Sequence, residues 1–308
     1  MGEDECSIGP IMIISASRRT DIPAFYAEWF MHRVRAGYCT VPNPYNRKQV
    51  SRVSLDPEDV DVIVFWTRHP APLFVHLEEL DQRGLRYCFH YTVLDNPRVL
   101  DRRAPASGTS VAAFRRLADT IGPDRLIWRY DPIIFSNKTP VDLHLQTYEK
   151  IASALKGYTS RSVISILDIY RSIAPRLEAL KEEGLKVVEH TEVPSDDFDV
   201  LMTGLVEIAT ANDMEITSCA EPLDLERYGV RPGKCIDDAY IHDVFDIEVT
   251  DEKDPYQREA CGCVVSKDIG MYGTCPFGCQ YCYATRSFRR ARQNYRAHDP
   301  LSPCLVSR

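Results

Sequence analysis

The chain has 308 residues, enough for one large α/β domain or two ordinary ones, and its 44% hydrophobic and 27% charged residues are the composition of a globular protein. A net charge of −8, from 37 basic and 45 acidic residues, argues against the broad basic face of a general nucleic-acid binder. The most apolar runs, such as Ile11 to Ala16 and Val60 to Trp66, are far shorter than the roughly 20 residues of a membrane span. With an acidic opening Met-Gly-Glu-Asp-Glu in place of a basic signal start, the expectation is a cytoplasmic protein without membrane contact.

In chain order, Ile11 to Ser15 reads as a buried strand, because it is a short β-branched and apolar run. Pro23 to Gly37 carries Phe25, Trp29, Phe30 and Val34 near helical spacing and stops at glycine. Strands over Val60–Trp66, Tyr87–Val93, Leu126–Arg129, Val163–Leu167 and Glu215–Ser218 alternate with helices over Pro72–Arg83, Ser110–Ile121, Val141–Lys156 and Asp196–Asn212. Such alternation implies a parallel sheet with crossover helices. About seven units over residues 1–220 fit a (β/α) TIM-barrel-like domain, complete or partial, with a doubly wound open sheet as the alternative. From Glu221 the pattern breaks at Pro222, Gly229, Pro232 and Gly233, and residues 221–308 read as a Cys-rich cluster-binding extension packed on the barrel. Asn43-Pro-Tyr45-Asn46 is a turn, or a substrate loop if the site lies close by.

The 11 cysteines are clustered: Cys219, Cys235, Cys261, Cys263, Cys275, Cys279, Cys282 and Cys304 fall in the last third, and only Cys6, Cys39 and Cys88 precede it. In a reducing compartment, clustered cysteines point to metal ligation or catalysis more than to disulfides. Cys275-Pro-Phe-Gly-Cys279-Gln-Tyr-Cys282 is a C-x3-C-x2-C run with Tyr281 just before the third cysteine. A [4Fe–4S] cube takes one thiolate per iron, so three on one loop leave a fourth iron open to a ligand. Gly278 lets the backbone approach the cluster and Tyr281 shields it from water. A zinc site is the competing reading, with Cys279-x2-Cys282 as one knuckle and Cys261 with Cys263 completing four thiolates. Cys219, Cys235, Cys261 and Cys263 could instead ligate a second cluster, or Cys219 could be a buried strand-end thiol. Cys6, Cys39, Cys88 and Cys304 read as structural.

The Cys275–Cys282 spacing resembles the signature of radical-SAM enzymes, although it stands near the C-terminus and no Gly-Gly-Glu-type segment is evident. That likeness implies S-adenosylmethionine at the open iron and a reducing partner such as flavodoxin or ferredoxin. Ser15-Ala-Ser-Arg-Arg-Thr-Asp21, Phe65-Trp-Thr67, Trp128-Arg-Tyr-Asp-Pro132, Cys219-Ala-Glu221, Cys261-Gly-Cys263 and the Cys275–Cys282 run together resemble the DUF1848 family over nearly the whole chain. That family's cysteine cluster is likened to that of radical-SAM proteins, and it supplies no substrate.

In a barrel, function collects at the C-terminal ends of the strands. Here those ends are polar: Arg18, Arg19 and Asp21; Thr67, Arg68 and His69; His90 and Thr92; Arg129, Tyr130 and Asp131; Asp168 and Tyr170; Ser218 through Glu221. Arg18, Arg19 and Arg129 suit a carboxylate or phosphate, and Asp131, Asp168 and Glu221 suit acid–base work on a small or anionic substrate. Tyr130 and Tyr170 could relay a radical or bind substrate; structural ion pairs such as Arg129–Asp131 are the plain alternative. Trp66 and Trp128 read as core, with stacking on an adenine second. Five arginines between Arg286 and Arg296 read as a solvated helix face, or as a patch for an anionic substrate such as nucleic acid. The reading is a radical-SAM-type iron–sulfur enzyme; a non-SAM iron–sulfur redox or Lewis-acid protein, or a zinc-holding structural protein, is the alternative.

Overall fold

The computed structural model describes residues 12–46 and 48–306, so Ile11 and Cys6 lie outside the described residues. Strand β1 (Met12–Ala16) leads into helices α1 (Ile22–Phe25) and α2 (Ala27–Arg35), a hairpin of β2 (Tyr38–Pro42) and β3 (Val50–Ser54), then β4 (Val60–Thr67) and α3 (Leu77–Gln82). The alternation continues through β5 (Tyr87–Thr92), α4 (Ser107–Ile121), β6 (Leu126–Ile133), α5 (Val141–Leu155), β7 (Arg161–Ile166), α6 (Ala174–Ala179), α7 (Ser195–Ala211) and β8 (Glu215–Cys219). The segment after residue 220 adds β9 (Arg231–Gly233), α8 (Asp238–Phe245), β10 (Lys267–Asp268) and α9 (Phe288–Arg296).

The fold is mixed α/β around an eight-stranded sheet, ordered β10-β1-β4-β5-β6-β7-β8-β9, with every pairing parallel. From β1 to β9 the strand order follows the chain, without the reversal of a doubly wound sheet. β10 returns to the free side of β1, matching Lys267 to Ile14 and Asp268 to Ser15. The two edge strands, β9 and β10, are not paired with each other, although the Val264 amide donates to the Ile236 carbonyl at 3.1 Å beside them. The helix read over 23–37 divides at Tyr26, where Asp21 caps α1 by accepting from the Ala24 amide at 3.0 Å. The β2–β3 hairpin was not evident from the sequence because its strands are short and half-exposed; Asn43–Asn46 forms its loop, with Tyr45 projecting into solvent.

Period-two alternation assigns each strand's residues to opposite faces. Ile63 and Phe65 of β4, Phe89 and Tyr91 of β5, and Trp128 and Tyr130 of β6 belong to the large core that includes residues of α2, α4, α5 and α7. Ile13, Val62, Val64, Cys88, Ile127 and Val163 point the other way, and Ile236, Tyr240, Ile241 and Val264 cover them. Toward the C-terminal end of that second face the small apolar residues give way to His90, Arg129, Asp131, Ser165 and Cys219. The switch from aliphatic to ionisable side chains along one face is what localises the polar site at the strand ends.

Candidate functional site

The loop carrying Cys275, Cys279 and Cys282 lies against the C-terminal ends of β1 and β4. The Gln280 amide donates to the Leu100 carbonyl at 2.9 Å, and Phe277 packs edge-on against Phe25 with ring centres 4.6 Å apart. Gly278 sits at φ +76°, where a side chain would be strained. Arg68, directly after β4, organises the loop: its Nη1 donates to Cys279 Sγ at 3.3 Å and to the Tyr281 hydroxyl at 2.9 Å. The guanidinium also forms a two-pronged ion pair with Asp101, whose carboxylate accepts from Tyr281 at 2.9 Å as well. At the far end of the loop, Arg176 donates to the Cys282 carbonyl at 2.6 Å and to the Thr285 carbonyl at 2.5 Å.

Burial dominates the electrostatics at this loop and holds the Cys275 and Cys279 thiols neutral. Burial pushes the Cys275 thiol up, opposed by N–H donors from the Phe277 and Asp21 backbone. Burial and the nearby Asp101 push Cys279 up, while Arg68 opposes them. Asp21 is buried beside Cys275; burial lifts its carboxyl to about 7, against hydrogen bonds from the Arg68 amide, the Thr67 hydroxyl and the Ala24 amide. Buried neutral thiols gain little from cationic and N–H neighbours, whereas thiolates are stabilised by both. Arg68 and these backbone N–H groups are the donors that thiolates here would use. As the side chains stand, no three or more His, Cys, Asp or Glu among the described residues are arranged to hold a metal ion.

A second group of sulfurs gathers at the ends of β8 and β9. Cys219 Sγ lies 2.9 Å from Cys235 Sγ, and Cys263 Sγ accepts from the amides of Cys235 at 3.2 Å and Ile236 at 3.4 Å. Its neighbours Cys235 and Cys261, with Arg18, hold the Cys263 thiol well below the usual range against burial. Arg129 Nη1 donates to Cys235 Sγ at 2.9 Å. Cys219 is drawn down to about 7 by its bond to Cys235, with Arg129 helping and burial opposing. The Arg18 guanidinium lies 5.2 Å from the Trp66 ring centre, and its buried Nη2 has no hydrogen-bond partner. His90 stacks on Trp66 and is neutral, since burial and the Arg129 charge lower it to about 3; its Nε2–H donates to the Cys235 carbonyl at 2.6 Å.

Residues 13–284 match the family described as Domain of unknown function (DUF1848). The chain belongs to the DUF1848 family. No curated protein and no solved structure matches it.

In this DUF1848 protein, most residues singled out by sequence meet at the strand ends. Asp131 accepts from Arg129 and from Ser165, which hold its carboxyl below the usual range against burial. Glu221 accepts from the Ile166 amide at 3.2 Å, and burial raises its carboxyl. Asp168 pairs with Arg258, and both border a cavity of about 400 Å³ with Tyr170, Glu189 and His190. The Arg19 guanidinium lies 5.3 Å from the Tyr272 ring centre and 3.9 Å from Asp268. Tyr283, directly after Cys282, donates to the Arg18 carbonyl at 3.1 Å, and its ring lies 6.0 Å from that of Tyr170.

Tyr130 is not brought to this site. Alternation turns it to the helix-facing core, where it packs against Trp128 and Tyr148 and bonds His144 Nδ1 at 2.9 Å. Trp128 lies on that same face, and its Nε1 donates to the Val93 carbonyl. Cys39 and Cys88 are buried, and burial pushes both thiols up to about 12. Sequence reasoning missed Asp101, Asp268, Arg176 and Arg258. Asp268 accepts from both Ser15 and Ser17, about 250 positions away, and nothing local in sequence signals such pairing.

Proposed function

We propose that this protein is an iron–sulfur enzyme of the radical-SAM type. In this reading the sheet is a (β/α) barrel left open between β9 and β10, and its C-terminal mouth is the active site. The observation that carries the reading is the Cys275–Cys282 loop at the strand ends, with Arg68 donating to Cys279 Sγ. Cys275, Cys279 and Cys282 would hold a [4Fe–4S] cluster through their sulfurs, leaving one iron without a protein thiolate. Once bound, the cluster supplies the electron that cleaves a C–S bond of S-adenosylmethionine.

The chain's own groups do the remaining work. Arg68 offsets thiolate charge at Cys279, while Asp101 and Tyr281 fix the guanidinium in place. Tyr281 and Phe277 cover the loop and restrict water. Arg19 at the end of β1 suits the carboxylate of an amino-acid moiety, and Asp21 can keep or release a proton near neutral pH. Asp168, Tyr170 and Arg258 line the cavity in which a small or anionic substrate fits. Arg286, Arg289, Arg290 and Arg296 are exposed on and before α9 and form no ion pair among the described residues, a surface suited to an acidic electron donor such as flavodoxin or ferredoxin.

The test is anaerobic reconstitution with iron and sulfide, followed by electron paramagnetic resonance with and without S-adenosylmethionine and assay of 5′-deoxyadenosine under dithionite. The expected outcome is a cluster signal that changes on adding S-adenosylmethionine, with 5′-deoxyadenosine formed. A bound cluster indifferent to S-adenosylmethionine would leave a non-SAM iron–sulfur protein, and colourless protein with one zinc would end both readings.

A further inference from the structure

We propose that Cys219, Cys235, Cys261 and Cys263 hold a second [4Fe–4S] cluster, ligated by thiolates at every iron, with Arg18 and Arg129 as its counter-charges. The four sulfurs come from three separate stretches: the end of β8, the turn after β9, and the Cys261-Gly-Cys263 segment before β10. They pack into one cluster in which Cys219 Sγ lies 2.9 Å from Cys235 Sγ and Cys263 Sγ accepts from the Cys235 and Ile236 amides, with Cys261 buried beside them.

Two guanidiniums face this group. Arg129 reaches Cys235 Sγ at 2.9 Å, and Arg18 carries its charge toward Cys263, Cys235 and Cys261. Arg129 is paired with Asp131 and still donates to Cys235 Sγ, and the half-buried Arg18 faces the same sulfurs with one donor unmet. A thiolate-bound centre would give both guanidiniums a further anionic partner. The buried Arg18 Nη2 without an acceptor is the second sign. A buried unmet donor costs on the order of 1–3 kcal/mol, so it marks a partner atom that the protein alone does not provide. A disulfide between Cys219 and Cys235 would leave Cys261, Cys263 and the unmet Arg18 donor unexplained.

A cluster fits better than a lone zinc ion for a reason of acceptor supply. Cys263 Sγ already takes two backbone N–H bonds, and Cys235 Sγ takes one from Arg129. Zinc adds no acceptor, whereas the inorganic sulfides of a cube offer several to Arg18 and Arg129. Full ligation leaves no iron open to substrate, so this centre stores or relays an electron. Tyr283, directly after Cys282, donates to the carbonyl of Arg18, whose guanidinium faces this group.

The proposal stands apart from the loop reading, and the test separates them. Iron and sulfide are measured on anaerobically reconstituted full-length chain, as wild type and as the triple variant C275A/C279A/C282A. The expectation is about eight irons in wild type and about four, with matching sulfide, in the triple variant. Equal iron of about four in both upholds the second centre and removes the loop cluster. A folded triple variant without iron, or with one zinc, overturns the proposal. If the triple variant fails to fold, C261S/C263S in the wild-type chain takes its place: losing about four irons supports the proposal and losing none overturns it.

Discussion

At the scale of single residues, Arg68 does the most. Its side chain is 13% exposed and that of Asp101 is 5% exposed, so their ion pair is largely cut off from water. Removing one member of a buried pair typically costs about 3–5 kcal/mol, because the other charge is left alone. Arg68→Met is therefore expected to destabilise the apo-protein by that order in a urea titration, with R68M/D101N recovering part of the loss. No recovery in the double variant would mean that Arg68 acts by packing and not by charge. The grouping of Cys275, Cys279 and Cys282 on one loop was legible in sequence because their spacing is local, and so was the placing of Arg18, Asp131 and Glu221 at the strand ends. Arg68 stood in view at a strand end, but its partner Asp101 lies 33 positions on in a loop without pattern.

Among the elements, the packing of α5 on β6 carries a pH dependence. His144 is buried between Tyr130, which donates to its Nδ1, and the Ile134 carbonyl, which accepts from Nε2–H at 3.1 Å. Burial lowers its pKa from 6.5 to about 4, so the folded protein keeps it neutral where the unfolded chain protonates it. Stability from this site is complete above pH about 6.5 and falls as pH drops toward about 4, by roughly 3 kcal/mol in all. Urea midpoints taken from pH 7 to 4.5 should show this slope, and His144→Gln should flatten it. A second element-level expectation concerns β10. A Cβ on Gly270 would stand 2.0 Å from Ser17 Oγ and 2.6 Å from its Cβ, so Gly270→Ala should loosen β10 from β1 and cost about 1–3 kcal/mol in a thermal melt. The long strands were readable because burial on both faces makes them continuous apolar runs. β9 and β10, three and two residues long, are too short to carry any period and exist through tertiary pairing alone.

Across the whole molecule, residues far apart in sequence fasten each other. The segment after α9 lies over α2 and β2: Trp29 Nε1 donates to the Ser302 carbonyl at 3.0 Å, Arg33 to the Leu301 carbonyl at 3.0 Å, and the Thr40 amide to the Pro303 carbonyl at 2.8 Å. Leu305 is buried in the main core. Truncation after Ala297 should remove about 3 kcal/mol or more, from lost apolar burial and unmet donors, and lower the melting temperature accordingly. The pairing of Asp268 with Ser15 also sets an order of events in the cell. On a ribosome the first strand emerges about 250 residues before β10, one of the two strands that border it, and seven of the candidate sulfur donors follow residue 218. If the chain holds iron as proposed, loading at the Cys275–Cys282 loop would wait until translation has passed Cys282, and newly made chains would pass an interval as a metal-free pool, open to oxidants and dependent on the supply of iron and sulfide at that moment.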